Sequence, residues 1–197
     1  MELRHGRTPT QQRARDRVER VLGAAAHVFA DKGYARATTN TIAEQAGVVV
    51  PSVYQYFANK DALLAELWDR HVGEMMDMLE AMIAAYPDAP IDVTARMYVE
   101  AILAAHARTP QLLAVLYAES PRLAGVRNLR AEATALLVPY LQRHAASIRT
   151  ADLTCVAFVL AAAVEGVAKQ AVVPPAPPSE VLVEELTTLV TAYLGVV

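Results

Sequence analysis

Pro51, Ser52, Tyr54, Gln55 and Tyr56 gather hydroxyl, amide and aromatic groups into six consecutive positions around Val53. A hydroxyl can meet a phosphate oxygen, and an amide can pair with the edge of a base. At helical spacing, Ile42, Ala46, Val48, Val53 and Phe57 turn inward and leave those five side chains outward. A short element with that outer face suits the major groove of DNA. Catalytic chemistry finds no comparable foothold. There is no nucleophile elbow, no Gly-rich phosphate loop, no zinc cluster and no plausible triad, so no enzyme is expected. His71-x-x-Glu74 has the spacing of a metal-binding pair on a helix, but no second cluster supports it, and neither metal nor cofactor is expected. Glu100, Glu119 and Glu165 fall in largely apolar stretches, where each carboxylate faces either a basic ligand or solvent.

The elements that hold these groups read as helices throughout. Val18, Val21, Leu22, Ala25, Val28 and Phe29 recur at spacings of three and four, predicting a helix from Arg15 to a left-handed cap at Gly33. Thr38 or Thr39 then caps a short helix through Ile42 and Ala46. Gly47 makes the sharp turn into a second short helix, Ser52 to Phe57, where a Cβ would obstruct the bend. Asn59 caps a long helix that carries Leu63, Leu67, Trp68, Val72, Met75, Leu79 and Met82. After a break at Tyr86–Pro90, further helices are expected at 92–108, 110–119, 122–146 and 151–172. Pro139 should kink or split the third of these. A stiff connector follows at Pro174–Pro178, and Ser179 caps a last helix ending near Gly195. The fold class expected is all-α, with about nine helices.

Bulk composition agrees with this reading. The 197 residues are 54% hydrophobic and rich in Ala, Leu, Val and Glu, without the β-branched alternation of a sheet. Charge is divided unevenly. Residues 1–60 hold nine Lys/Arg against five Asp/Glu, and residues 61–197 hold nine against sixteen. A basic head on an acidic body is the layout expected when only the head approaches a polyanion. The single cysteine, Cys155, excludes an internal disulfide and reads as a small buried side chain in an apolar helix. The charged N-terminus lacks the apolar stretch of a signal peptide. The longest uncharged run, Leu153–Val164, falls short of the roughly 18 residues a membrane span requires, so a cytoplasmic protein away from membranes is expected.

From Val18 to Leu67 the sequence closely resembles the TetR family of bacterial regulators. The resemblance is carried by Val21-Leu22-Gly23-Ala24-Ala25, Phe29-Ala30-Asp31-Lys32-Gly33-Tyr34, Thr38-Thr39, Ile42-Ala43 and Ala46-Gly47-Val48, and then by Val53-Tyr54, Tyr56-Phe57 and Lys60-Asp61-Ala62-Leu63. Val49 departs from the pattern, because the family usually caps the recognition helix with a small polar residue. That loss costs about 1 kcal/mol of local helix stability. Pro51 is compatible with a first helical turn, and Val50-Pro51 presents an apolar surface suited to a thymine methyl. The resemblance implies that Tyr54 and Tyr56 contact the DNA backbone or base edges and that Ser52 and Gln55 read bases. It further implies that Thr39 and Lys60 meet phosphates at the starts of their helices. Partial burial against the first helix is the alternative for Tyr54. Arg13, Arg15 and Arg17 belong either to a phosphate-reaching arm or to a merely soluble one.

The resemblance divides the chain into a flexible basic arm (1–14), a helix-turn-helix DNA-binding domain (15–60) and an effector-binding and dimerisation domain (61–197). Trp68, His71, Met75, Met78, Tyr98, Ile102, His106, Leu113 and Tyr117 are the candidate effector residues, with ordinary core as the other reading. A homodimer is expected through the last two helices. One is dense in small residues (Ala161, Ala162, Ala163, Gly166), and the other repeats Leu182, Leu186, Leu189, Val190 and Tyr193. A buried intramolecular hairpin is the alternative. The function implied is repression at a pseudo-palindromic DNA operator, relieved by a small apolar or amphipathic effector. An architectural or protein-interaction role without an effector is the second possibility.

Overall fold

Apolar stripes at helical spacing are realised as nine α-helices within residues 9–148 and 152–195, which the computed structural model describes. They are α1 (Pro9–Arg36), α2 (Thr39–Ala46), α3 (Val50–Tyr54), α4 (Lys60–Ala85), α5 (Ile91–Ala107), α6 (Pro110–Glu119), α7 (Leu129–Arg143), α8 (Leu153–Ala171) and α9 (Ser179–Leu194). Single 3-10 turns at Ser120–Arg122 and Ala145–Ser147 flank α7. No strand occurs among the described residues.

Several boundaries differ from the sequence expectation; α3 ends at Tyr54, so Tyr56 and Phe57 follow it and are not part of it. α1 begins at Pro9, so residues 9–14 of the expected arm are helical, while residues 1–8 lie outside the described residues. Gly33 has the expected positive φ of 72° but a ψ of 163°, so it kinks the chain, which regains helix up to Arg36. The expected helix at 122–146 is shorter. Gly125 at φ 76° turns the chain, and the Asn128 side chain accepts the Ala131 N–H at 3.0 Å, which starts α7 only at Leu129. α7 passes Pro139 without splitting, held along its length against α8.

The first three helices and the start of α4 share one core, in which Val21, Ala25, Phe29, Ile42, Val53, Leu63 and Leu64 are fully enclosed. α4 continues into the body, touching α5, α6 and α7, while α9 lies on α5 and α6 lies on α1. α8 is long and apolar enough to cross a membrane by length and composition alone, because the helix runs on past Glu165 and Lys169. In this fold its Val156, Ala157, Leu160, Ala161 and Val164 face inward. Cys155 falls outside that stripe and is exposed, contrary to its expected burial.

Candidate nucleic-acid interface and internal cavity

Adjacent threonines at 38 and 39 divide two tasks. Thr38 is the cap of α2: its Oγ1 accepts the Thr41 N–H at 3.1 Å, and Thr41 Oγ1 accepts the Thr38 N–H at 3.2 Å. Thr39 is the first helical residue, and its hydroxyl lies 3.0 Å from that of Tyr54, joining the outer edges of α2 and α3. Gly47, at φ 62° and ψ 38°, closes α2 in the left-handed conformation that a side chain would strain. α3 spans five residues, with Val49 at its N-cap making no side-chain hydrogen bond and Pro51 in its first turn. Val53 is wholly buried beneath it, whereas Tyr54 is 52% and Tyr56 37% exposed. Pro51 and Gln55 are also exposed, and Val50 and Ser52 are half-buried. Tyr54 is therefore outward, and burial against α1 is not its position. Arg15 of α1 lines one shallow cleft together with Tyr56.

Lys60 has a different place from the one its resemblance implied. Its ammonium donates to the carbonyls of Tyr34 at 2.9 Å and Ala37 at 3.2 Å, and it sits 4.1 Å over the Tyr34 ring. It thus ties the end of α1 to the start of α4. The Tyr34 hydroxyl donates to Asp61, which also pairs with Arg122 at 2.9 Å, and the Arg122 guanidinium lies 4.3 Å from the centroid of the Tyr34 ring. The Tyr34 hydrogen bond, aided by Arg122, holds the Asp61 carboxyl below the ordinary range, and burial raises the Tyr34 phenol. Arg122 also pairs with Glu119 at the end of α6, so this cluster joins head to body. Sequence reading missed it because Tyr34, Asp61 and Arg122 meet only through the fold.

Deeper in the body, a cavity of about 80 Å³ lies between α4, α5, α7, α8 and α9. Of the expected effector residues, Met75, Tyr98 and Ile102 line it. Met82, which belongs to the same Met and aromatic set of the sequence, lines it as well, and so do Met76, Leu79, Leu137, Leu160 and Val164, which were not effector candidates. Its polar wall is sparse. The Thr94 and Tyr140 hydroxyls lie 2.6 Å apart, and Glu165 takes a hydrogen bond from Arg130 Nε at 2.9 Å. The Tyr98 phenol is pushed up to about 12 by burial. Glu100 and Glu119, by contrast, pair with Arg96 and Arg122 away from the cavity.

Trp68, His71, His106 and Tyr117 form a separate buried cluster instead of lining the cavity, because their faces of α4, α5 and α6 turn toward one another. The Tyr117 hydroxyl is 3.0 Å from His106 Nε2 and 3.3 Å from His71 Nε2, while His106 Nδ1 is 2.8 Å from the Ile102 carbonyl. A carbonyl only accepts, so His106 carries its proton on Nδ1 and accepts from Tyr117, which in turn accepts from His71. Burial, then the neighbouring His106, lowers His71 to about 4, and burial lowers His106 as well. Trp68 donates its indole N–H to the Arg127 carbonyl at 2.9 Å. Leu113 is ordinary core, and Met78 is half-buried outside the cavity wall. Among the described residues no group of three His, Cys, Asp or Glu could hold a metal ion, and Glu74 is exposed while His71 is buried.

Two family models match this chain: bacterial regulatory proteins of the tetR family over residues 21–67, and a tetracyclin repressor-like C-terminal domain over residues 90–194. The fatty acid metabolism regulator protein of Bacillus subtilis (strain 168) is 33% identical over 66 residues, 34% of each chain. The transcriptional activator FasR of Mycolicibacterium smegmatis is 39% identical over 61 residues, 31% of this chain and 28% of that one. The chain thus spans about a third of the length of the curated relatives it matches. Among solved structures, the fatty acid degradation regulator of Bacillus halodurans has a TM-score of 0.70 at 18% identity, covering 88% of this chain and 97% of that one. A TetR-family transcriptional regulator from Streptomyces coelicolor has a TM-score of 0.66 at 25% identity, covering 91% and 98%.

Proposed function

The chain belongs to the tetR family of bacterial regulatory proteins, and on that premise we propose that it is a dimeric cytoplasmic repressor released from a pseudo-palindromic operator by a small apolar or amphipathic effector. The observation that carries this reading is the outer face of α3. Tyr54 on the helix and Tyr56 in the turn after it stand outward, while the opposite side of α3, through Val53, is locked into the head core. On this reading Tyr54, Tyr56 and Thr39 meet the backbone, Ser52 and Gln55 read base edges, and Val50 with Pro51 gives the apolar contact. Lys60 acts as a positioning residue for the end of α1, at Tyr34 and Ala37. Half-exposed Phe158 on α8 and Val181 and Leu189 on α9 support pairing of two copies through these helices. Leu186 and Val190 face the subunit's own core, so only part of the apolar stripe of α9 is available to a partner.

The position of α4 supports a route for release. α4 starts beside the reading head and forms a wall of the cavity, so an effector that parts α4 from α5 changes how two reading heads are spaced in a dimer. The test is a mobility shift with DNA from upstream of the protein's own locus. Retardation is expected, lost on Tyr54→Ala combined with Tyr56→Ala. Failure to bind any such DNA in salt as low as about 50 mM overturns the reading.

A further inference from the structure

The apolar cavity shares a wall with a second, polar cleft. Leu129, Arg130 and Glu165 line both the cavity and an adjoining polar cleft, whose floor includes Trp68 and Tyr117 and whose rim includes Arg127 and Lys169. The Arg130–Glu165 pair is therefore the partition between an apolar chamber and a polar one. Glu165 is largely enclosed, its side chain 17% exposed, while Arg130 is 44% exposed.

Unused hydrogen-bonding capacity decides what the cleft suits. Arg127 is already committed to Glu132, to the Asp69 carbonyl and, through its backbone N–H, to the Asp69 carboxylate. Arg130 uses only Nε, which leaves both terminal nitrogens of its guanidinium as donors. Lys169 has no ion pair among the described residues and adds three more. Against these donors, Glu165 keeps one oxygen free. Donors outnumber acceptors, and cations outnumber carboxylates.

Resting on the effector reading above, we propose that the effector is a single-chain anionic amphiphile. Its alkyl body occupies the chamber, and its anionic head lies in the cleft, where it accepts from the free terminal nitrogens of Arg130 and from Lys169. A carboxylate or phosphate head satisfies the same donors. A chamber of about 80 Å³ holds only a short stretch of chain before the helices part, so the tail supplies the displacement and the head the selectivity.

Trp68 is the protein's one tryptophan and lies in the cleft, so its fluorescence reports occupancy. Octanoate, octyl phosphate, octanol and octyltrimethylammonium are titrated into the full chain, and each is tested for release of bound DNA. Octanoate or octyl phosphate, or both, should bind about tenfold tighter than octanol, the fold-change of one charge-assisted hydrogen bond. The ranking of the two anions separates a carboxylate source from a phosphate one. Arg130→Gln and Lys169→Gln should each remove most of that advantage while leaving octanol affinity unchanged, and Glu165→Gln should strengthen anion binding. Equal binding of octanol and the anions, tighter binding of the ammonium compound, or indifference of the anions to Arg130→Gln overturns the inference. If octanol or octyltrimethylammonium releases DNA and the anions do not, the effector reading stands and this one falls. If none binds and none releases DNA, both fall.

Discussion

The reading head and the body are both helical, yet they are built to opposite tolerances. Around Phe29 the head packs Val21, Ala25, Ile42 and Val53 with no exposed surface left on any of them. The buried polar residues among those described, His71, Thr94, His106 and Ser120, all lie further along the chain, as does the cavity. A close-packed apolar core has one good arrangement and holds an outer surface at fixed geometry. A core that contains a void and a directional chain from His71 through Tyr117 to His106 is less tightly determined, which is what the proposed effector would exploit. The head is made to present, the body to yield.

Truncating both cores is the sharpest way to break that comparison. Phe29→Ala should cost about 3–5 kcal/mol and abolish DNA binding, since its ring contacts the core on every side. Leu160→Ala, at the cavity wall, should fall at the low end of the range for such changes, about 2 kcal/mol, because part of its surroundings is already empty. Urea unfolding of both variants checks this, and equal losses would remove the contrast.

Acid probes the body's polar network next. His71 titrates near 4 in the fold against 6.5 as its ordinary value. Between those values the unfolded chain binds a proton that the folded chain refuses. The stability involved is fully present above about pH 6.5 and is lost as pH falls toward 4, up to about 3 kcal/mol. Thermal melts across that window should show Tm falling less steeply for His71→Phe than for the unaltered chain. Parallel slopes would show that His71 does not control the acid response.

The smallest effect belongs to the head. Thr38→Ala removes a capping hydrogen bond and should cost about 1 kcal/mol, while Thr39→Ala leaves the cap intact and should cost less in stability than in DNA affinity. Melting curves set beside mobility shifts separate the two roles. The reverse order would return the cap to Thr39.

The head was legible from sequence because its information is local. Gly47 must turn, Ile42, Val53 and Phe57 must face one way, and Tyr54 and Tyr56 are then left outside. Neighbouring threonines defeated that logic at the cap, since both have the side chain and only one has the extended backbone that lets it bond forward. Lys60 defeated it too, because a lysine's long stem can reach outward or fold back on Tyr34 and Ala37. In the body, Met75, Tyr98 and Ile102 were recognisable as large apolar side chains at helical spacing. Trp68, His71, His106 and Tyr117 carried the same signal but pack as a cluster of their own, with Trp68 and Tyr117 lining the adjoining cleft.

Residue types and their periodicity by themselves determined the helices, the turn at Gly47 and the outward tyrosines, because each depends on neighbours within a turn or two of chain. Tertiary structure alone decided which apolar faces enclose a cavity, that Arg130 meets Glu165 across 35 residues, and that Tyr34, Asp61 and Arg122 bind head to body. These arise where helices distant in sequence cross. A side chain's partner there is set by packing angle and not by its own type.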